Sequence, residues 1–148
     1  MGKLFVIEGI DGSGKSTQVN ALVERLKRDG RTSMHIRFPQ YDQPSSALLR
    51  MYLAGEFGSH PSDVNAFAAS TFFAVDRYAA YKKDWGKDYK NGATILSDRY
   101  VSSNLIHQGS KLEGEEALEF FDWLYDFEFD RLPVDCSEHA DIREKKFK

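Results

Sequence analysis

The chain has 148 residues, 41% hydrophobic, 14% aromatic and 29% charged, with a formal net charge of −3. That length suits a single domain over 1–148; the aromatic share excludes a disordered chain; and the slight acidity excludes a global basic field that would recruit nucleic acid, so any polyanion must be held by a local site. The lone cysteine, Cys136, excludes an internal disulfide framework or a four-cysteine metal site and fits a reducing cytoplasm, and no apolar run approaches the ~20 residues of a membrane span.

No repeat or low-complexity segment interrupts the chain. LFVIE, after Lys3, is short and continuously apolar, the pattern of a strand buried on both faces. From Lys15 the period becomes helical: Val19, Leu22, Val23 and Leu26 share one stripe, and Gly30 suits the end of the helix. Ser33 to Phe38 reads as a second strand, broken by Pro39. A short helix is predicted from Ser45 or Ser46 to Leu53, ending near Gly55. Ser62-Asp63 is the predicted cap of a long helix running to about Lys83, with Phe67, Thr71, Ala74 and Tyr78 along one face. Beyond the Asn91-Gly92 turn, ATIL forms a third strand ending at Ser97-Asp98, and a further helix carries Ala117, Leu118, Phe121, Leu124 and Tyr125. Strands alternating with helices predict an α/β fold with a mostly parallel sheet covered on both faces. Only three strands stand out, and after Arg131 the chain turns polar and charged, whereas a doubly wound sheet normally has more strands.

Gly9 to Thr17 read GIDGSGKST. This is the G-x-x-x-x-G-K-[ST] pattern, between an apolar strand and a helix as that motif requires. Glycines let the backbone curl so that N–H groups point at a phosphate, and the helix N-terminus adds partial positive charge at the same spot. Lys15 reaches the outer phosphates and the Ser16 hydroxyl ligates Mg²⁺ in this scheme. The bland alternative is a glycine-rich turn with an incidental lysine; motif and context together favour the phosphate loop.

Ile95-Leu96-Ser97-Asp98-Arg99-Tyr100 puts a carboxylate and a guanidinium just past the C-terminal end of a strand, where open α/β sheets bind ligands. Asp98 there is a candidate Mg²⁺ partner; a surface ion pair is the competing reading. Phe73 and Arg77 are four apart in the long helix and share a face, suiting a nucleobase and its phosphate; by spacing alone, Phe72 and Phe73 read equally as core. Arginines, a lysine and Mg²⁺ without an obvious strong base or a Ser-His-Asp arrangement suit transfer between two phosphates, where charge must be neutralised rather than a proton removed. A GTPase would need a water-orienting glutamine and a base-reading motif, neither of which stands out.

Together these residues resemble thymidylate kinase of the bacterial type, a P-loop nucleoside-monophosphate kinase that phosphorylates dTMP with ATP. The resemblance runs from about Gly2 to Arg131 and rests on the order and spacing of VIEGIDGSGKST, RFPQY, FFAVDRYAAY, SDRYVSSNLIHQG and FDWLYDFEFDRL. It implies a three-layer αβα P-loop fold with parallel strand order 2-3-1-4-5, a cytoplasmic homodimer, ATP with Mg²⁺, and neither nucleic acid nor membrane as partner. Carried over by motif, Gly9, Ile10, Asp11, Gly12, Ser13, Gly14, Lys15, Ser16 and Thr17 bind ATP, and Ser16 and Asp98 the metal. Lys15, Asp11 and Arg99 are catalytic, with Asp11 near the acceptor phosphate and Glu8 preceding the loop. Phe38 and Phe73 line the thymine site, Arg77 and Arg99 hold the acceptor, and Asn104 and Gln108 contact the acceptor or its base. His107 stands where many relatives carry a tyrosine close to the sugar 2′ carbon, and Tyr41 where some carry an arginine.

The family continues with a fourth strand, an arginine-rich lid and a fifth strand, where this chain reads RLPVDCSEHADIREKKFK. Two readings stay open: Pro133 to Ala140 as a junction across a deletion, or an ordinary charged tail. Either way strands four and five are expected to be missing, the LFVI strand becomes an edge, and only Arg143, with Lys145 and Lys146, is left to act as a lid. The competing functions are dTMP kinase, a nucleotide-binding remnant without turnover, and another P-loop ATPase or GTPase.

Overall fold

Three five-residue strands make one parallel sheet in the computed structural model, which describes residues 1–132. They are β1 (Lys3–Ile7), β2 (Ser33–Arg37) and β3 (Thr94–Asp98), in the order β1-β3-β2. Leu4, Ile95 and Met34 stand in register across the sheet, as do Phe5, Leu96 and His35. The first row faces the main core with Ile36, Phe38, Tyr81, Trp85, Phe120 and Leu124. The second faces the opposite side, where α1 (Lys15–Arg28) packs on β2 and β3.

The central strand is β3, with Ile95 and Leu96 fully buried on opposite faces. The burial on both faces expected of LFVIE is found at ATIL instead, whereas LFVIE takes the edge position expected of a sheet without strands four and five. Among the described residues β1 is a sheet edge, and Phe5 (48% exposed) and Val6 (37%) face solvent. Continuous apolarity does not distinguish a central strand from an edge strand. The junction and lid readings at Pro133–Ala140, Arg143, Lys145 and Lys146 lie outside the described residues.

The helical layer opposite α1 differs from the expected one at three places. After a 3₁₀ turn at Pro44–Ser46 comes α2 (Ala47–Leu53), as predicted, but α3 spans Ala66–Ala80 and is capped by Asn65, whose side chain accepts from the Ala68 N–H at 2.8 Å. Ser62-Asp63 do not cap it: the Asp63 carboxylate accepts from the His60 N–H at 2.9 Å instead. The helix then runs past Lys83, through a widened π turn at Tyr81–Trp85, into α4 (Gly86–Lys90). Gly86 permits this, because a Cβ there would lie 2.4 Å from the Tyr81 carbonyl oxygen. A helix absent from the sequence reading, α5 (Val101–Gly109), follows β3, and α6 (Gly114–Tyr125) closes the core. No helix among the described residues is long and apolar enough to cross a membrane.

Candidate functional site

One cleft of about 1100 Å³ opens at the C-terminal ends of the strands. The loop between β1 and α1 forms one end. Gly12 and Gly14 hold positive φ values of 77° and 86°, open to glycine at no steric cost. The first turn of α1 has neither a capping side chain nor an acidic residue, so its N-terminal field is left for an anion. Lys15 folds back over the loop, its ammonium donating to the Ile10 carbonyl at 3.1 Å.

Arg99 crosses the middle. It is the only non-glycine residue with positive φ (67°) among the described residues. Its guanidinium donates to Asp11 Oδ1 at 2.7 Å and to Ser103 Oγ at 3.2 Å. Asp11 is 98% exposed, so the pair is solvated and readily exchanged for another anion. Asp98, the last residue of β3, is buried. Its Oδ2 pairs with Arg37 Nε at 3.2 Å, while Oδ1 has no partner among the described residues. Ser16 and Asp98 both line this cleft. A buried carboxylate oxygen with spare capacity near a hydroxyl and a phosphate loop fits a hard cation completed by water and phosphate oxygens. No cluster of three or more His, Cys, Asp or Glu side chains suited to a metal occurs among the described residues, and a cation held largely by phosphates does not need one.

The far end is aromatic and amide-lined. Phe38 is buried edge-on against Tyr100, ring centroids 5.8 Å apart, and Phe73 stands edge-on to Tyr52. Phe72 instead packs on Tyr52 and Phe57, so of the two phenylalanines only Phe73 lines the cleft. Asn104 and Gln108, one turn apart on α5, are both buried; both Asn104 amide atoms and Gln108 Oε1 lack a partner among the described residues. Unsatisfied buried amides cost roughly 1–3 kcal/mol each, an expense a hydrogen-bonding ligand removes. His107 is exposed on the rim. Arg77 reaches the cleft wall, but its Nε and a terminal nitrogen donate to Glu128, and its guanidinium lies 5.8 Å from the Tyr100 ring centre.

Three cleft supports escape the sequence reading. Buried Asp76 accepts from Gln40 N–H at 2.8 Å and Ser45 Oγ at 2.6 Å, pinning the loop that carries Phe38; its place in FFAVDRYAAY, directly before Arg77, is its signal. Tyr52 Oη accepts from Lys111 Nζ at 2.8 Å and Gln108 Nε2 at 3.3 Å. Neither Tyr52 nor Lys111 belongs to a motif, so local pattern offers no signal for them.

Residues 7–121 match the family model described as Thymidylate kinase. The thymidylate kinase of Mycobacterium tuberculosis is 36% identical over 130 residues, 87% of this chain and 59% of the relative. That of Homo sapiens is 34% identical over 110 residues, 74% and 49% of the two chains. The solved structure of thymidylate kinase from Candida albicans superposes with a TM-score of 0.64 at 28% identity, over 84% of this chain and 56% of that one. The chain thus spans about half to three-fifths of the length of these relatives.

Proposed function

This chain belongs to the thymidylate kinase family, and from that membership we propose that it transfers the terminal phosphoryl group of ATP to dTMP, giving ADP and dTDP. The observation that carries the reading is that a phosphate loop and a set of unpaired buried amides line one and the same cleft.

In this proposal Gly9 to Thr17 cradle the ATP phosphates through backbone N–H groups, and Lys15 swings from the Ile10 carbonyl onto them. Ser16 and Asp98 Oδ1 hold Mg²⁺, which when bound neutralises charge on the phosphates. Arg99 exchanges exposed Asp11 for the acceptor phosphate; Asp11 stays beside it. Phe38 and Phe73 wall the base. Asn104 and Gln108 meet a pyrimidine edge that both donates and accepts hydrogen bonds, and Arg77 adds the free part of its fork. His107 faces the sugar from the rim. The acceptor phosphate is already an anionic nucleophile, so these residues supply alignment and charge compensation rather than a base.

Cytoplasmic location and a homodimer belong to the same proposal. Exposed Val75 and Tyr78 on α3 and Ile106 on α5 are apolar surface of the kind a two-fold interface buries.

The test is ADP release from ATP and Mg²⁺ with dTMP, beside a dTMP-free control and a Lys15→Ala variant. dTMP-dependent release abolished in Lys15→Ala is expected. Release without dTMP would point to an ATPase, and nucleotide binding without release to a module that does not turn over.

A further inference from the structure

Glu8 belongs to none of the roles above, yet its carboxylate takes three hydrogen bonds from the far side of the sequence. Oε1 accepts from the Tyr100 N–H at 3.2 Å and from Ser102 Oγ at 2.7 Å; Oε2 accepts from Ser103 Oγ at 2.6 Å. These groups open α5, whose own N-cap position, Tyr100, offers no capping side chain. A carboxylate at a helix N-terminus meets both unpaired N–H groups and the positive end of the dipole.

One of these bonds, from the Tyr100 N–H, also helps to bracket Arg99. Its left-handed backbone is disfavoured for a residue with a side chain, and it is held at each end. The Arg99 N–H donates to the Ile7 carbonyl at 3.1 Å, Ser97 Oγ donates to the Arg99 carbonyl at 2.7 Å, and Glu8 fixes the next N–H along. The side chain is held through the same carboxylate. With the Ser103 hydroxyl proton committed to Glu8, the Ser103 oxygen is free to accept from the Arg99 guanidinium, at 3.2 Å.

We infer that Glu8 is the positioning residue for Arg99: it aims the guanidinium at the point between the phosphate loop and α5 where the acceptor phosphate lies in the reading above, on which this inference rests. Glu8 touches neither substrate; it acts through Tyr100, Ser102 and Ser103. Standing directly before the phosphate loop, it also ties the acceptor clamp to the donor loop.

Hydrogen exchange and calorimetry on Glu8→Ala and Glu8→Gln test this. Without the carboxylate, exchange of the Tyr100 amide should quicken ~10-fold or more, and dTMP affinity should fall by about 10-fold. Binding of ADP with Mg²⁺ should change by less than about 2-fold, since losses at separate groups are largely independent. Glu8→Gln keeps an acceptor oxygen and should restore most of both effects. In an Arg99→Ala background, Glu8→Ala should cost no further dTMP affinity. Unchanged exchange at Tyr100, equal loss of ADP and dTMP, or additive losses in the double variant would each overturn the role. A parent chain that does not bind dTMP would sink the reading of the cleft, while the exchange measurement would still decide whether Glu8 holds this turn.

Discussion

Arg77 and Glu128 form a nearly fully buried ion pair joining α3 to the turn after α6. Taking two charges out of water is offset only while both stay, so deleting one partner costs more than the pair is worth. Glu128→Ala should lower stability by about 3–5 kcal/mol in urea denaturation, and Arg77→Met with Glu128→Leu should recover most of it. A single-variant loss below ~1 kcal/mol would show a solvated pair. The double variant then isolates ligand binding: stable protein with weakened dTMP affinity would assign Arg77 to the acceptor, and unchanged affinity would make it purely structural. His35 gives a pH signature. It stands on the α1 face of the sheet with Nε2 unpartnered among the described residues; burial first, then Arg37, lowers its pKa below the usual 6.5, against an opposing pull from Asp98. The folded chain therefore holds this proton less tightly than the unfolded chain. The stability from neutral His35 is complete above pH ~6.5 and is lost as pH falls from there through the lowered folded value. Urea midpoints should drop as pH falls below about 6.5, and His35→Gln should flatten part of that slope; an identical slope would assign it to carboxylates.

Helix boundaries show what local pattern carries. Asn65→Ala should cost about 1 kcal/mol by loss of the bond to the Ala68 N–H, whereas Ser62→Ala should stay within roughly 0.5 kcal/mol; the reverse order would restore the cap to Ser62-Asp63. Ser-Asp before an apolar period is a good cap by composition, but here Asp63 is engaged by the His60 turn. The end of the same helix is hidden for a different reason: the π turn at Tyr81–Trp85 shifts the apolar period, and Gly86, which looks like a terminator, makes room for Tyr81. Helix α5 has no local start signal because its cap, Glu8, lies 92 residues before Tyr100. The cap is lost to a competing local turn, the helix end to a close approach, and the start of α5 to a contact distant in sequence.

At the scale of the molecule, the phosphate-loop end of the cleft was legible because it is contiguous in sequence. The rest of the cleft is built from pairs such as Asp76 with Gln40 and Arg99 with Asp11, 36 and 88 residues apart. Family resemblance reached Asn104 and Gln108 there, and not Tyr52 or Lys111. The sheet offers a last comparison, between two residues of one row. Phe5 and Leu96 are register partners on the same face, yet Phe5 is 48% exposed and Leu96 is fully buried. Leu96→Ala should cost about 2–5 kcal/mol, and Phe5→Ala well under the ~3–5 kcal/mol of a fully buried phenylalanine, since half its surface already meets water. Urea unfolding of the two variants checks this. A full-sized loss at Phe5 would mean that the β1 edge is covered in solution, which unpaired strand backbone beside apolar side chains invites. Protein concentration then identifies the cover: a melting temperature that rises with concentration marks a second copy of the chain, because association stabilises by mass action, and one that does not marks cover from within the chain itself.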